Sequence, residues 1–106
     1  MYYNKEGKKI ELMEWAKLLE DFDYKIIKQD NLSDGKRVST VWLGLDQQFG
    51  KGKPLIFETM VFSKKKKTMI LGRKLMMGEE LNVDRYSTLE EALAGHKKMF
   101  KKYNKK

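Results

Sequence analysis

The chain has 106 residues, 41% of them apolar, and a formal net charge of +8 from 23 basic and 15 acidic residues. This length suits one domain over 1–106, with a basic tail at about 101–106. The sequence contains no cysteine and one histidine. Disulfides, thiolate metal sites, cysteine nucleophiles and His-rich metal sites are therefore excluded, and we expect no cofactor.

The N-terminal third predicts one helix between strands. A short strand and turn are expected over 2–10, followed by an amphipathic helix over about 11–22, where apolar residues recur at spacings of three and four. A strand is expected over 24–29. The cluster at 31–35 ends in Asp34-Gly35, a hairpin signal that leads into a strand over 38–43.

The segment 55–62 is the strongest strand prediction, because it is apolar on both faces except at Glu58 and Thr59. We expect it to be central in the sheet. The lysines at 64–67 are predicted to form the tip of a hairpin leading into 68–71, Gly78 closes that segment, and a last strand is expected over 81–86.

A capping box of Ser87 and Glu90 is predicted to start the final helix, whose apolar face runs to about residue 103. The predicted order is β-α-β-β-β-β-α with hairpin-length connections. This order indicates an α+β domain in which two amphipathic helices pack on an antiparallel sheet of four to five strands.

The stretch 46–54 contains the main candidate site. Its glycines would let backbone amides approach a ligand, and its lysines add positive charge, although it lacks the P-loop pattern. Trp42 and Phe49 flank a carboxylate and could stack a base or grip a side chain. The alternatives are a wide turn and a Trp42 that belongs to the core. The candidate binding residues here are Trp42, Asp46, Phe49, Gly50, Lys51 and Gly52.

Glu58 interrupts an apolar strand and, if buried, needs a cation or several donors. Arg37, Arg85 and His96 are its candidate partners, and Glu58, Arg85 and His96 are included in the candidate binding surface. Such a pair is more often structural than catalytic, and a lone histidine on an apolar helix face is usually packed. Because no catalytic constellation is visible, we expect the protein not to be an enzyme; a small nucleotide-directed enzyme using Glu58 and His96 is the weakest alternative.

The positive charge is concentrated in lysines at 64–67 and in the last ten residues, and without these ten lysines the rest of the chain has a net charge of −2. Twenty basic residues are lysine and three are arginine, the residue whose planar guanidinium binds phosphate through paired hydrogen bonds. A solvated surface and a polyanion contact both fit this pattern. A nucleic-acid surface would use Lys64, Lys65, Lys66, Lys67, Lys97, Lys98, Lys101 and Lys102.

Two stretches carry a resemblance. One comprises 38–46, 49–50 and 54–62, and the other comprises 85–88, 90–92 and 95–96. Together they resemble a group of small, uncharacterised proteins encoded by bacteriophages and prophages. The chain departs from that group at the lysine run and at Gln47, where many members are expected to carry histidine, which puts a catalytic or metal role of the loop in doubt.

This resemblance implies a bacteriophage setting but no particular reaction. The expected function is stoichiometric binding to a host or defence component, either a protein or a small anionic nucleotide, and the alternative is a basic nucleic-acid-binding module. No apolar run approaches the roughly 18 residues of a membrane span and no signal core follows the N-terminus, so we expect a cytoplasmic protein without membrane association. A homodimer through a sheet edge or the face of Trp15 is compatible with the small size of the chain.

Overall fold

The computed structural model describes residues 1–46, 52–70 and 72–104. The class is α+β, as predicted. In chain order the elements are β1 (Tyr2–Tyr3), β2 (Lys9–Ile10), α1 (Leu12–Glu20), α2 (Phe22–Lys25), β3 (Ile26–Asn31), β4 (Arg37–Trp42), β5 (Phe57–Phe62), β6 (Lys66–Ile70), β7 (Arg73–Met77), β8 (Glu80–Tyr86) and α3 (Leu89–Tyr103).

An antiparallel sheet of four strands forms the centre of the domain, in the order β3-β4-β5-β8. The prediction that the strand around 55–62 is central is confirmed. Successive residues of a strand point to opposite faces, and on β5 the buried Phe57, Thr59 and Val61 alternate with half-buried neighbours. Opposite them on β4 lie Trp42, Thr40 and Val38, which are also fully buried. These six side chains define the core face of the sheet.

α3 covers the core face through the buried residues Ala92, His96 and Met99. The predicted capping box is wrong by one residue. Thr88, not Ser87, is the N-cap: its hydroxyl accepts from the amide of Glu91 at 3.1 Å and donates to the Glu91 carboxylate. Both residue pairs match the capping pattern, but β8 extends to Tyr86, whose carbonyl accepts from the amide of Ile56, and the chain needs two more residues to turn into the helix.

The predicted helix over 11–22 is shorter than expected. α1 ends at Glu20, and the Asp21 side chain accepts from the amide of Tyr24 at 3.2 Å, which starts the separate short helix α2. Phe22 therefore leaves the apolar face of α1 and is 67% exposed. The following strand begins at Ile26 rather than at residue 24 for the same reason.

The segment after β5 differs most from the prediction. The lysines at 64–67 do not form a hairpin tip, because Lys66 and Lys67 belong to β6. β6 pairs with β7, a strand the sequence analysis did not separate, and these two form a sheet of their own, which we call the ribbon. β5 pairs with β8 instead. The ribbon is therefore inserted between two neighbouring strands of the central sheet.

Candidate functional site: a basic groove beside the ribbon

A groove of about 580 Å³ lies where the ribbon leaves the central sheet. We call it the basic groove. Its described lining includes three cations and no carboxylate. The lining residues are Asn31, Gly35, Arg37, Phe62, Ser63, Lys64, Lys65 and Gly78.

Two tight backbone arrangements build the walls of the groove. On one side the β3–β4 turn is closed by the Gly35 amide, which donates to the Leu32 carbonyl at 3.0 Å. Gly35 has a φ of +91°, and a Cβ there would lie 2.8 Å from Cγ of Lys64, so the turn and the lysine are in close contact. On the other side Ser63 and Glu79 join the two ends of the ribbon. The Ser63 amide donates to the Glu79 carbonyl and the Glu79 amide donates to Ser63 Oγ, both at 2.8 Å.

Arg37 is the distinctive residue of the groove. It lies directly opposite Phe62 in the β4–β5 register, and its guanidinium carbon is 5.0 Å from the centre of the Phe62 ring. Its Nε is buried and has no hydrogen-bond partner among the described residues. A buried donor without an acceptor costs about 1–3 kcal/mol, and more when the group is charged. The guanidinium of Arg37 is therefore in contact with Phe62, and its Nε–H donor has no acceptor among the described residues.

The acidic residue nearest in sequence is already engaged. Asp34 forms an ion pair with Lys36, and hydrogen bonds from Lys36 lower the pKa of the Asp34 carboxyl below its usual value. Arg37 thus keeps its positive charge without a described carboxylate partner. The groove thus contains one planar guanidinium group and two ammonium groups, a combination that binds tetrahedral oxyanions.

A second polar cluster lies between α3 and the sheet. Asp30 Oδ2 is 2.7 Å from His96 Nε2, His96 Nδ1 is 2.6 Å from Thr40 Oγ1, and Thr40 Oγ1 is 2.5 Å from Thr59 Oγ1. We call these four residues the histidine chain. Both ring nitrogens of His96 are therefore engaged, one by the Asp30 carboxylate and the other by the Thr40 hydroxyl.

The order carboxylate, imidazole, hydroxyl resembles the arrangement of a nucleophilic triad, but exposure argues against that chemistry. Thr40 and Thr59 are 0% exposed, and His96 is 1% exposed. A hydroxyl that no substrate can contact cannot attack one. Asp30 and the edge of His96 line a surface cavity with Lys28 and Lys97, but neither threonine hydroxyl reaches it. The histidine chain fastens α3 to three strands of the sheet.

Tyr86 extends this cluster and gives it a measurable pH dependence. Burial raises the pKa of Tyr86 above its usual value of 10.0, the Asp84 carboxylate adds to the rise, and a hydrogen bond with Thr59 opposes it. Burial also raises the pKa of Tyr24.

Because folding favours the protonated phenols, the stabilisation is complete below the unfolded pKa, near 10, and is lost as the pH rises through the raised folded pKa. We expect the unfolding free energy, measured in urea from about pH 8 to 11, to fall less steeply in Tyr86→Phe and in Tyr24→Phe than in the wild type. Equal slopes in all three proteins would contradict this assignment.

The structure separates the predicted binding residues. Trp42 is fully buried and its indole donates to the Tyr3 carbonyl at 3.0 Å, so it belongs to the core and to no binding surface. Gly52 is exposed and Asp46 is half-buried. Phe49, Gly50 and Lys51 lie outside the described residues.

The ion pair of Glu58 is confirmed with one of its three candidate partners. Arg85 Nε is 3.0 Å from Glu58 Oε2, across the β5–β8 register. His96 is not part of this group, because it contacts Thr40 on the core face, whereas Glu58 points to the other face of the sheet. Arg37 makes a cation–π contact with Phe62 instead.

The predicted lysine surface is divided. Lys64 and Lys65 line the basic groove, and Lys66 and Lys67 are in the ribbon. The lysines of α3 border two other cavities or solvent. Lys97 lies beside His96 and Asp30, Lys98 and Lys102 lie beside Asp84, and Lys101 is exposed. Sequence reasoning missed Arg37 as a site residue, because its position depends on the β4–β5 register rather than on any local motif.

Comparison of the chain with known protein families, with curated proteins and with solved structures finds no match. The described residues contain no group of three or more histidine, aspartate or glutamate side chains that could hold a metal ion. In the same part of the chain, no helix is long and apolar enough to cross a membrane.

Proposed function

We propose that this chain is a non-enzymatic binding protein whose ligand carries phosphate, and that the ligand binds in the basic groove. The observation that carries the proposal is the guanidinium of Arg37, which has no described carboxylate partner and lines the same cavity as two lysines. A phosphate oxygen in this cavity would accept from the terminal N–H groups of the guanidinium.

The composition of the groove favours phosphate over a single carboxylate. Three positive charges line one cavity without a described negative one, and a phosphate group has up to two negative charges and several acceptor oxygens. The Phe62 ring lies 5.0 Å from the guanidinium carbon of Arg37, and this cation–π contact restricts the guanidinium before the ligand binds.

The biological part of this proposal rests on the sequence resemblance. In that setting the protein acts in the cytoplasm of an infected bacterium and binds a host or defence component by stoichiometric contact. A partner that presents phosphate fits the basic groove better than a protein surface does, because Trp42 of the predicted aromatic surface is buried in the core.

The proposal is tested by isothermal titration of the purified protein with inorganic phosphate, ATP and, for contrast, acetate. We expect saturable 1:1 binding of the phosphate compounds, and at least tenfold weaker binding by Arg37→Gln. Arg37→Lys keeps the positive charge but loses the planar guanidinium, so its affinity should lie between that of the wild type and that of Arg37→Gln. Lys17→Gln is the matched control, because Lys17 is an exposed lysine of α1 outside the groove.

Stability distinguishes a ligand site from a structural role. If Arg37 is held for a ligand, Arg37→Gln removes a buried N–H that has no acceptor and should leave the thermal midpoint unchanged or raise it, while affinity falls. Equal phosphate binding by wild type and Arg37→Gln would overturn the proposal. Phosphate release from ATP by the pure protein, abolished by one substitution, would overturn its non-enzymatic part.

A further inference from the structure

All charged residues of the ribbon and of its first connection are basic. Between residues 64 and 77 the sequence contains six basic residues and no acidic one. By register, Lys66 and Lys67 lie at the end next to the central sheet, and Arg73 and Lys74 lie toward the far end. Positive charge therefore lies at both ends of the ribbon. Basic residues placed in this way attract a polyanion, because neutralising phosphates releases counterions.

The dimensions of the ribbon limit which polyanion it can enter. Two paired strands of five residues each extend about 17 Å. The major groove of B-form DNA is about 12 Å wide and admits a two-stranded ribbon. The major groove of A-form RNA is too deep and narrow for side chains to read. The shape of this element therefore favours a DNA duplex over an RNA duplex.

The ribbon and the basic groove are continuous. Lys64 and Lys65 precede β6 directly, and Gly78 follows β7, so both ends of the ribbon leave from residues that line the groove. A duplex that accepts the ribbon in its major groove has a phosphate backbone at the rim of that groove, next to the base of the ribbon. Arg37 lies at this base.

We infer that the phosphate-bearing partner is double-stranded DNA, with the ribbon in the major groove and Arg37 on a backbone phosphate at its rim. This inference rests on the proposed function, because the same groove supplies the phosphate contact. It adds an element that a free nucleotide would not need, namely a charged arm beyond the groove.

The test measures fluorescence anisotropy of a labelled DNA duplex of about two helical turns over a series of salt concentrations. Parallel titrations use an RNA duplex and a single DNA strand of the same sequence. The ribbon variant replaces Lys66, Lys67, Arg73 and Lys74 by glutamine. The control variant replaces four lysines outside the ribbon and groove, so that both variants lose the same charge. The control positions are Lys8, Lys9, Lys17 and Lys53, all exposed.

We expect wild-type affinity for the DNA duplex to fall steeply with salt. In the ribbon variant, the slope of log affinity against log salt should be smaller by about 3–4, for four lost phosphate contacts, and affinity at low salt should fall at least tenfold. The control variant should lose much less. Binding of the RNA duplex or the single strand as tightly as the DNA duplex would overturn the assignment of the major groove.

The outcomes separate the two proposals. If the ribbon and control variants bind DNA equally while Arg37→Gln still loses inorganic phosphate, the ribbon inference fails and the proposed function stands. In that case the lysines serve to keep the free strand edges from pairing with other chains. If Arg37→Gln binds inorganic phosphate and DNA as the wild type does, the proposed function fails as well.

Discussion

Replacing His96 with alanine should lower the free energy of unfolding by about 3–5 kcal/mol. The imidazole is 1% exposed, and its removal leaves a cavity between α3 and β4. Two hydrogen bonds are lost as well, including the one with the Asp30 carboxylate. Urea unfolding, followed by tryptophan fluorescence, measures this loss directly.

Two further variants make the interpretation specific. Lys97→Ala changes the exposed neighbour of His96 on the same helix and should stay within about 0.5 kcal/mol of the wild type. Thr40→Val keeps the shape of the side chain but removes the hydroxyl between His96 and Thr59. It should destabilise the protein by about 1–3 kcal/mol, because Nδ1 of His96 loses its hydrogen-bond partner in a dry site. A His96→Ala protein as stable as the Lys97→Ala control would refute the structural role of the histidine chain.

Gly44→Ala should be comparably severe for a different reason. Gly44 has a φ of +70°, and an added Cβ would lie 2.3 Å from Cζ2 of Trp42 and 2.8 Å from Cδ1 of Trp15. The left-handed backbone costs an alanine about 1–2 kcal/mol. Overpacking of the buried indole adds about 1–3 kcal/mol. The expected total loss of unfolding free energy is therefore about 2–5 kcal/mol.

Gly7→Ala is the matched control for this substitution. Gly7 has a φ of +81°, and a Cβ there would meet nothing within 4 Å, so it bears the backbone cost without the clash. The difference between the two variants in urea unfolding isolates the packing contribution. Equal destabilisation by Gly44→Ala and Gly7→Ala would mean that the Trp42 side of the core accommodates a methyl group.

The sequence predicted correctly those elements whose burial follows from the apolar pattern of their own residues. The apolar segment 55–62 contains the central strand β5, and the apolar spacing after residue 88 is the buried face of α3. The ion pair of Glu58 was also predictable to within three partners, since a half-buried carboxylate in an apolar strand requires a cation. Arg85 takes that role because it lies opposite Glu58 in the register.

The candidate site was not predictable in the same way, because it depends on pairing between distant strands. Arg37 meets Phe62 only through the β4–β5 register. The histidine chain joins residues 30, 40, 59 and 96, and a threonine on a strand gives no local sign that it is buried against a helix. Whether 68–77 joins the central sheet or forms a ribbon is likewise a tertiary choice, since its strand pattern is the same in both cases.

The Ser63–Glu79 contact has a consequence for how this protein can change. Its two hydrogen bonds close the chain between β5 and β8 before and after the ribbon, so the central sheet is complete without anything that lies beyond them. Insertions at such a point cost a domain little, because the loop ends are already held together. Residues 64–78 therefore form an exchangeable cassette, which could be lengthened, recharged or grafted while the scaffold that presents it stays the same.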